Sequence, residues 1–418
     1  MAEFVKPWAS GGNLSATYEG SGDGSAIFSS DENKGAEREM DITFVDVMRN
    51  VFVVRKVRQA AGQSSAETYT RLTYIESTGK QYINLGYVVQ EADEIEIRYA
   101  TTQLESGRLF GTLDATGNSI YFSFSNKNAY ARFGTTNSTS IANGIRSNNA
   151  ILKKGNVLVN AWSANLAFVG MPTNPLYLFA SCDDNGATAY ASFRCMRFVI
   201  RKGNGETMEL LPYRRNADGA VGMLDMDSGI FYENEGDGEF IAGSEIHLPN
   251  GYALIDSVDF NADKLFDVAT ITQDDSIDIM YQRDYVSKAQ YLYGVLSNGN
   301  TASFTAYLSA TGAWRFGNQL VRPNAEDLYV HRTLIANGNA SRDCSALILN
   351  KSVNFTTPDT FVLGGYREID GSTYATYIGK VFYLRVNNGD LLDWIPCVNP
   401  EGVEGFWDCK SNTFIEPY

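Results

Sequence analysis

Two residues of the chain carry an imidazole, His247 and His331. A Ser-His-Asp or Cys-His catalytic arrangement, or a histidine-rich zinc site, would have to use one of them. His247 lies in a linker between two long segments, and His331 follows the end of a Tyr-Val strand pattern. We therefore expect both to be ordinary surface or boundary residues rather than members of a catalytic group.

Carboxylates at a suggestive spacing occur once, at Glu91, Asp93 and Glu96. This spelling, E-x-D-x-x-E, is used by glycosidases whose paired carboxylates flank the scissile bond. However, apolar residues alternate from Ile95 to Tyr99, which sends Glu96 to the opposite side of the strand from Asp93. We expect a solvated strand edge and no enzymatic activity, with a glycoside hydrolase kept as the alternative.

A second acidic motif, residues 225–229, reads D-x-D-S-G and resembles a calcium loop. The segment 183 residues later has Lys410 where the second carboxylate would be. Asp and Gly are also ordinary turn residues between strands. We predict no catalytic residue, no metal and no cofactor.

A carbohydrate-binding site needs fewer special residues than a catalytic or metal site, because exposed aromatic rings and polar loop groups are sufficient. The chain has 24 Tyr and 23 Phe, so most rings are expected to lie in a core. The rings and polar groups that stand near polar loops are the candidates for a saccharide site: Trp162, Asp183, Asp184, Asn185, Tyr190, Trp314 and Tyr374.

The elements that must position these residues occur twice. Residues 93–99 are matched by residues 275–281, at an offset of 182, and residues 109–113 by residues 292–296, at an offset of 183. Asp225, Ser228 and Phe231 are matched by Asp408, Ser411 and Phe414, also at an offset of 183. This period is far longer than that of a solenoid unit, so each copy is a full domain. Short alternating runs separated by turn residues predict antiparallel sandwiches or jelly rolls.

Composition limits the classes of partner. The net charge of −15 argues against nucleic acid and anionic membranes, and no apolar run reaches 18 residues. Five cysteines without a CxxC pair do not indicate a disulfide framework. The first eight residues lack the basic start and apolar run of a signal peptide, so we expect folding in a reducing cytoplasm.

The first 63 residues differ from the duplicated part. A Gly-, Ser- and Asp-rich stretch precedes two strand patterns, and residues 57–62 read V-R-Q-A-A-G. This order resembles the BACON family of small immunoglobulin-like sandwiches, with one extra alanine at the close. A polar linker, residues 63–68, then leads to the first copy.

The duplicated part carries a second resemblance. The opening at residues 74–87, and a closing pattern "P-x-R … G-x-x-G-M-x-D … G-x-F-Y" between residues 212 and 232, are similar to laminin-G/concanavalin-A-like domains. The second copy keeps a related ending but not the Thr-Gly-Lys-Gln turn. Together the resemblances imply three all-β domains: a BACON-like sandwich at 1–63 and two concanavalin-A-like jelly rolls at 69–245 and 247–418.

This architecture resembles that of virion appendage proteins of gut Bacteroidetes phages, including the crAss-like group. The resemblance implies a non-enzymatic structural protein of the virion, either a capsid-decorating head fibre or a tail-associated fibre. Its N-terminal domain would contact other virion proteins, and its jelly rolls would bind glycans of the host surface or gut mucus. We expect a homo-oligomer on the particle surface; a secreted bacterial adhesin is a further alternative.

Overall fold

Strands make up the ordered elements of the computed structural model, together with a single 3-10 helix at Asn387–Gly389 in its described part. Of the first 68 residues it describes the backbone of five strands. Beyond them it describes residues 69–102, 106–125, 128–135, 138–141, 148–159, 162–272, 274–284, 288–296, 304–308, 314–316, 319–322, 330–336, 339–342, 345–347, 360–368 and 370–418. In that part no helix is long and apolar enough to cross a membrane. The predicted all-β class is confirmed.

The N-terminal strands form two antiparallel sheets. Their bounds are β1 Ala2–Pro7, β2 Asn13–Glu19, β3 Ser25–Ser30, β4 Arg38–Asp46 and β5 Val51–Gln59. The sheets have the orders β1-β2-β3 and β4-β5. The glycine-rich stretch and the end of the V-R-Q-A-A-G motif, on which the BACON-like resemblance depends, lie outside the described residues. The predicted immunoglobulin-like sandwich at residues 1–63 therefore stays a prediction.

In the residues that the structure describes, the first sandwich has nineteen short strands. They are β6 Tyr69–Arg71, β7 Ile75–Glu76, β8 Ile83–Asn84, β9 Glu94–Thr101, β10 Gly107–Leu113, β11 Ser119–Ser125, β12 Asn128–Thr135, β13 Thr139–Ile141, β14 Asn148–Lys153, β15 Asn156–Val159, β16 Trp162–Asn165, β17 Tyr177–Leu178, β18 Ser181–Asp183, β19 Gly186–Thr188, β20 Phe193–Arg201, β21 Thr207–Arg215, β22 Val221–Asp225, β23 Phe231–Tyr232 and β24 Ile241–Ala242.

The second sandwich follows, with eighteen strands in the described part of the chain. They are β25 Ala253–Leu254, β26 Val258–Asn261, β27 Phe266–Asp267, β28 Ile277–Arg283, β29 Gln290–Val295, β30 Phe304–Leu308, β31 Trp314–Phe316, β32 Gln319–Arg322, β33 Val330–Ala336, β34 Asn339–Arg342, β35 Ser345–Leu347, β36 Val362–Leu363, β37 Gly365–Arg367, β38 Thr373–Ala375, β39 Ile378–Val386, β40 Leu392–Val398, β41 Glu404–Asp408 and β42 Thr413–Ile415.

Both sandwiches have the same strand order. The sheet that we call inner runs β16-β15-β14-β9-β20-β21-β22-β23 in the first and β35-β34-β33-β28-β39-β40-β41-β42 in the second. The outer sheet runs β13-β12-β11-β10-β17-β8 and β32-β31-β30-β29-β36-β27. A small hairpin, β18-β19 or β37-β38, joins each outer sheet through a parallel bridge. The two jelly-roll sandwiches predicted from the sequence are confirmed.

Each sandwich has its own core because alternate residues of both sheets point inward. In β9 the alternation buries Ile95, Ile97 and Tyr99 against the outer-sheet rings Phe122 and Phe124. The second core is separate and centres on rings such as Phe266, Trp394 and Phe406. Separate cores mean that each sandwich carries its own hydrophobic stabilisation.

The faces of the inner sheets that point away from the cores pack against each other. Ala100 and Met196 of the first sandwich meet Met280, Phe382 and Tyr383 of the second in one apolar cluster. The four sheets therefore stack in the order outer, inner, inner, outer. This arrangement leaves the exposed faces of the two outer sheets on opposite sides of the pair.

A buried carboxylate ties the inner sheets together. Asp278 accepts two hydrogen bonds from Arg332, at 2.8 and 2.6 Å, one from Tyr383 at 3.0 Å, and one from Arg194 of the first sandwich at 3.1 Å. Arg332 also donates to the carbonyl oxygen of Thr101, across the interface, at 2.7 Å. We call this set of residues the Asp278 network.

Charge in this network is nearly balanced within the interface. Arg194 also pairs with Glu76 at 2.7 Å, and the guanidinium of Arg385 lies 4.8 Å from the ring centre of Tyr74 in the first sandwich. Burial by itself raises the pKa of Asp278, but the charges of Arg332 and Arg194 outweigh burial and hold that pKa well below its usual range. The carboxyl group is therefore ionised at neutral pH.

One sequence prediction is wrong here. His331, expected at the surface or at a domain boundary, is fully buried in β33, where it pairs with Tyr281 of β28 with ring centres 5.9 Å apart. β33 begins at Val330 and is a central strand of the inner sheet, so the inward position of His331 is set by pairing with β28. His247 lies in the linker and contacts Glu245 at 3.2 Å.

Candidate functional site

Four tyrosines lie side by side on the exposed face of the second outer sheet. Tyr291 and Tyr307 are cross-strand partners in β29 and β30, with ring centres 4.9 Å apart. Tyr366 and Tyr374 are partners in β37 and β38, stacked at 5.1 Å with an angle of 19°. Tyr291 and Tyr366 join the two pairs at 4.5 Å. We call these four residues the tyrosine ladder.

The tyrosine ladder has one ring that is open to solvent and three rings that are partly buried. Tyr374, at its end, is 44% exposed, and the other three rings are partly buried. Burial raises the pKa of Tyr291 and of Tyr366, so their hydroxyl groups stay protonated and neutral at neutral pH. The surface therefore offers aromatic faces together with hydroxyl groups that can donate and accept hydrogen bonds.

The close approach of β38 to β37 depends on a glycine. A Cβ atom at Gly365 would lie 1.9 Å from the carbonyl oxygen of Tyr374 and 2.9 Å from Leu265. No larger residue fits there without moving the strand that carries Tyr374. Gly365 thus fixes the spacing of the stacked pair.

The first sandwich has different residues at the matching places. The parallel bridges Thr112–Cys182 and Val295–Arg367 align the two hairpins. By this alignment and the strand pairings, the positions of the four ladder tyrosines are taken by Arg108, Ser123, Ser181 and Thr188. The duplicated frame is therefore the same, but its exposed face has changed from aromatic to polar and cationic.

Arg108 belongs to a compact group in the first sandwich. Its guanidinium carbon lies 4.4 Å from the ring centre of Tyr121, and that of Arg132 lies 5.0 Å from the same ring. Arg108 donates to Ser181 at 2.7 Å, and Arg132 donates to Ser119 at 3.2 Å. We call Arg108, Tyr121 and Arg132 the arginine cluster.

Three further tyrosines lie beside this cluster. Tyr82 and Tyr177 stack at 5.0 Å with an angle of 18°, and Tyr190 contacts Tyr82 at 6.1 Å. Tyr177 and Tyr121 are both cross-strand partners of Gly111, on its two sides, so they occupy the same face of the outer sheet. The three rings and the arginine cluster form one continuous surface.

The structure places the other predicted saccharide residues as follows. Asp183, Asp184 and Asn185 form the tip of the β18–β19 hairpin, where Asp183 accepts from the amide of Asn185 at 2.8 Å and Asp184 accepts from Asn174 at 2.8 Å. Their side chains shape turns. Trp162 begins β16 and Trp314 begins β31, but their side chains lie outside the described residues. Among the predicted residues whose side chains are described, Tyr190 and Tyr374 lie in aromatic groups.

The solvated strand edge expected at Glu91, Asp93 and Glu96 is corrected. Asp93 is buried and accepts hydrogen bonds from Tyr87 and from the amides of Gln90 and Gly203, at 2.7 to 2.9 Å. Glu96 is also buried, because Arg197 and Arg201 cover it from β20. Glu91 is exposed and pairs with Lys154. The three carboxylates serve three different local contacts and share no cleft.

The acidic motif of residues 225–229 is a turn. Asp225 accepts from the hydroxyl of Ser228 at 2.6 Å, and Asp408 accepts from Ser411 at 2.6 Å in the second sandwich. In the described residues, no group of three or more His, Cys, Asp or Glu could hold a metal ion.

A groove of about 690 Å³ lies between the sandwiches, next to the Asp278 network. Its walls include Arg98, Met196 and Phe382. Arg98 forms an ion pair across the groove with Asp256, so the positive charge of Arg98 is already neutralised by the protein. We assign no ligand to the groove.

Comparison with known proteins gives structural neighbours alone. No family model and no curated protein matches the sequence. Domains LG4-5 of the mouse laminin α1 chain match over 79% of this chain and 90% of theirs, with 12% identity and a TM-score of 0.26. The LG1-3 region of the laminin α2 chain matches over 90% and 81%, with 9% identity and a TM-score of 0.24. Both neighbours are laminin G domains. At these scores the fold assignment rests on the strand order described above.

Sequence reasoning missed Tyr291, Tyr307, Tyr366, Arg108 and Arg132. Each is an outward residue of an alternating strand, a signal that the sequence does contain. Which outward residues meet depends on the register between strands, and no local motif gives that register.

Proposed function

We propose that this chain is a non-enzymatic binding protein that presents two lectin-like sandwiches as one rigid pair, and that the tyrosine ladder binds a saccharide. One observation carries the proposal: four contacting tyrosine rings lie on the exposed face of a sheet, with Tyr374 open to solvent. Isolated exposed rings need no explanation, but a contiguous aromatic surface indicates a binding site.

Saccharide is the ligand class that fits this surface. The rings are held in shape by neighbouring strands, so little side-chain entropy is lost when a flat sugar face packs on them. Their hydroxyl groups can exchange hydrogen bonds with sugar hydroxyls. In the described residues, the face of the ladder has no arrangement of carboxylates comparable to a glycosidase pair, which favours binding over hydrolysis.

Replacing Tyr374 tests the ladder. We expect Tyr374→Ala to weaken binding of the best ligand from a neutral oligosaccharide array by about tenfold, or about 1.4 kcal/mol, because the exposed ring is lost. Tyr374→Phe keeps the ring and should stay within about threefold of the wild type. Titration calorimetry with both variants measures the difference.

Equal binding by the wild type and Tyr374→Ala would contradict the ladder as the site. Hydrolysis of any oligosaccharide on the array, lost in Asp93→Asn without a change in folding, would favour the alternative of a glycoside hydrolase.

For the biological setting we propose a virion appendage, as the sequence resemblance implies. The N-terminal region would attach to other virion proteins and the sandwich pair would project. Mass spectrometry of purified phage particles, and of tailless heads prepared from them, should detect the chain as a stoichiometric component. Its recovery from the outer surface of bacterial cells, with none on particles, would favour the adhesin alternative instead.

A further inference from the structure

We propose that the arginine cluster binds the anionic group of an acidic saccharide, so that the two sandwiches select sugars of different charge. The proposal rests on the proposed function in taking the ligand to be a saccharide. The anionic group is a carboxylate or a sulfate, both of which a guanidinium can hold by paired hydrogen bonds.

The first step is the absence of a carboxylate partner for either arginine. Within the described residues, neither Arg108 nor Arg132 forms an ion pair. By contrast, most described arginines do so, including Arg98, Arg194, Arg197, Arg201, Arg214, Arg215, Arg332, Arg367 and Arg385. Asp183 is near enough to raise the pKa of Arg108 but forms no ion pair with it. In a chain with 49 acidic and 34 basic residues, two adjacent arginines without an ion-paired carboxylate leave positive charge that a ligand anion can neutralise.

The second step is that the cluster is already ordered. Both guanidinium groups pack on the ring of Tyr121, which is 6% exposed. Hydrogen bonds to Ser181 and Ser119 hold their orientation. Because these side chains are fixed before binding, an anion would not have to bear the usual entropy cost of ordering them.

The third step concerns desolvation. Burial lowers the pKa of Arg108 and the neighbouring charge of Arg132 lowers it further, which together outweigh the opposite effects of Tyr121 and Asp183. The Nε atom of Arg132 is buried and has no hydrogen-bond partner. The guanidinium groups remain charged, so both features are energetic costs that a bound anion would reduce.

The fourth step is the neighbouring aromatic surface. Tyr177 lies on the other side of Gly111 from Tyr121, and its ring stacks on that of Tyr82. A Cβ at Gly111 would lie 2.9 Å from the Ser181 hydroxyl and 3.0 Å from Tyr121, so glycine keeps the floor between them flat. A sugar ring resting on the tyrosines could therefore direct its anionic group to the arginines.

The test uses the full chain and three matched oligosaccharides: one neutral, one bearing uronic acid carboxylates and one bearing sulfates. We expect the wild type to bind at least one acidic form, with affinity that falls as salt rises. The double variant Arg108→Gln/Arg132→Gln should lose at least tenfold of that affinity. It should bind the neutral sugar of the tyrosine ladder as the wild type does.

Controls separate this proposal from the proposed function. Tyr374→Ala should weaken neutral binding alone, and Arg201→Gln, which removes an ion-paired arginine of the inner sheet, should change neither affinity. Arg108→Lys keeps the charge but not the planar fork and should give an intermediate loss, which also guards against misfolding of the double variant.

Several results would overturn the inference. These are no acidic binding by the wild type, acidic binding unchanged in the double variant, or free acetate and sulfate binding as tightly as the matching sugars. A different result separates the two proposals. If neither the wild type nor any variant binds the neutral sugar, but the wild type binds the acidic sugar and the double variant does not, the tyrosine ladder is refuted and the arginine cluster is supported.

Discussion

Asp278→Asn is expected to lower the free energy of unfolding by about 3–5 kcal/mol and to separate the unfolding of the two sandwiches. The carboxylate is 3% exposed and is shared by Arg332, Arg194 and Tyr383. Removing its charge leaves buried guanidinium groups without their common counter-charge, which is the costly way to break a buried ion pair. Denaturant titration followed by circular dichroism should show one transition in the wild type and two in the variant.

Asp256→Asn is the matched control. It removes a carboxylate that also reaches across the interface, to Arg98, but the Asp256 side chain is 71% exposed. An exposed pair contributes about 1 kcal/mol or less, so a small loss and a single transition are expected. Equal losses in the two variants would show that burial of Asp278 does not matter for coupling.

The pH dependence of stability gives a second test of the contribution of the Asp278 carboxylate. Because the folded pKa of Asp278 lies below its unfolded value, its stabilisation is complete above the unfolded pKa of about 4 and is lost as pH falls below it. The difference in stability between the wild type and Asp278→Asn should therefore be constant near neutral pH. It should shrink as the solution is acidified below about pH 4.

Gly365→Ala is expected to abolish the stacked tyrosine pair and to weaken neutral saccharide binding by more than tenfold. The new Cβ would lie 1.9 Å from the backbone oxygen of Tyr374, and backbone atoms cannot move aside singly as a side-chain tip can. The β37–β38 hairpin must open, at a stability cost of about 1–3 kcal/mol. Calorimetric titration and thermal unfolding of the same sample measure both effects.

A substitution in the turn of the same hairpin is the control. Gly371 has a φ of 86° and no atom within 4 Å of a Cβ placed there. Asparagine tolerates this left-handed conformation, so Gly371→Asn should keep binding within about twofold. If Gly371→Asn weakens binding as strongly as Gly365→Ala, hairpin flexibility rather than the Tyr366–Tyr374 contact controls the site.

The fold could be predicted from local patterns because alternation is a local property. The alternating segment beginning at Asp93 becomes β9, Glu94–Thr101, and its repeat becomes β28, Ile277–Arg283. Turn residues such as those at 225–229 are found where Asp and Gly predict them. What could not be predicted is which face of an inner sheet would be covered by the other sandwich.

Contacts between residues that are distant in sequence, either across the sandwich interface or between strands of one sheet, explain the errors. Asp278 alternates with core residues and would face water in an isolated sandwich, yet it is buried because the first sandwich covers it. Glu96 is buried by arginines from β20, a strand about 100 residues away in sequence. For the same reason Tyr374 was a candidate from its own surroundings, whereas its ring partner Tyr366 required knowledge of strand pairing.

The stacking of four sheets determines how many ligands the pair can join. The tyrosine ladder and the arginine cluster lie on the two outermost faces, which are separated by three inter-sheet spacings, or about 30 Å, and point in opposite directions. A short oligosaccharide cannot reach both, so neither site raises the effective concentration at the other. If both proposed sites bind saccharides, the pair would cross-link a neutral glycan on one side to an acidic glycan on the other.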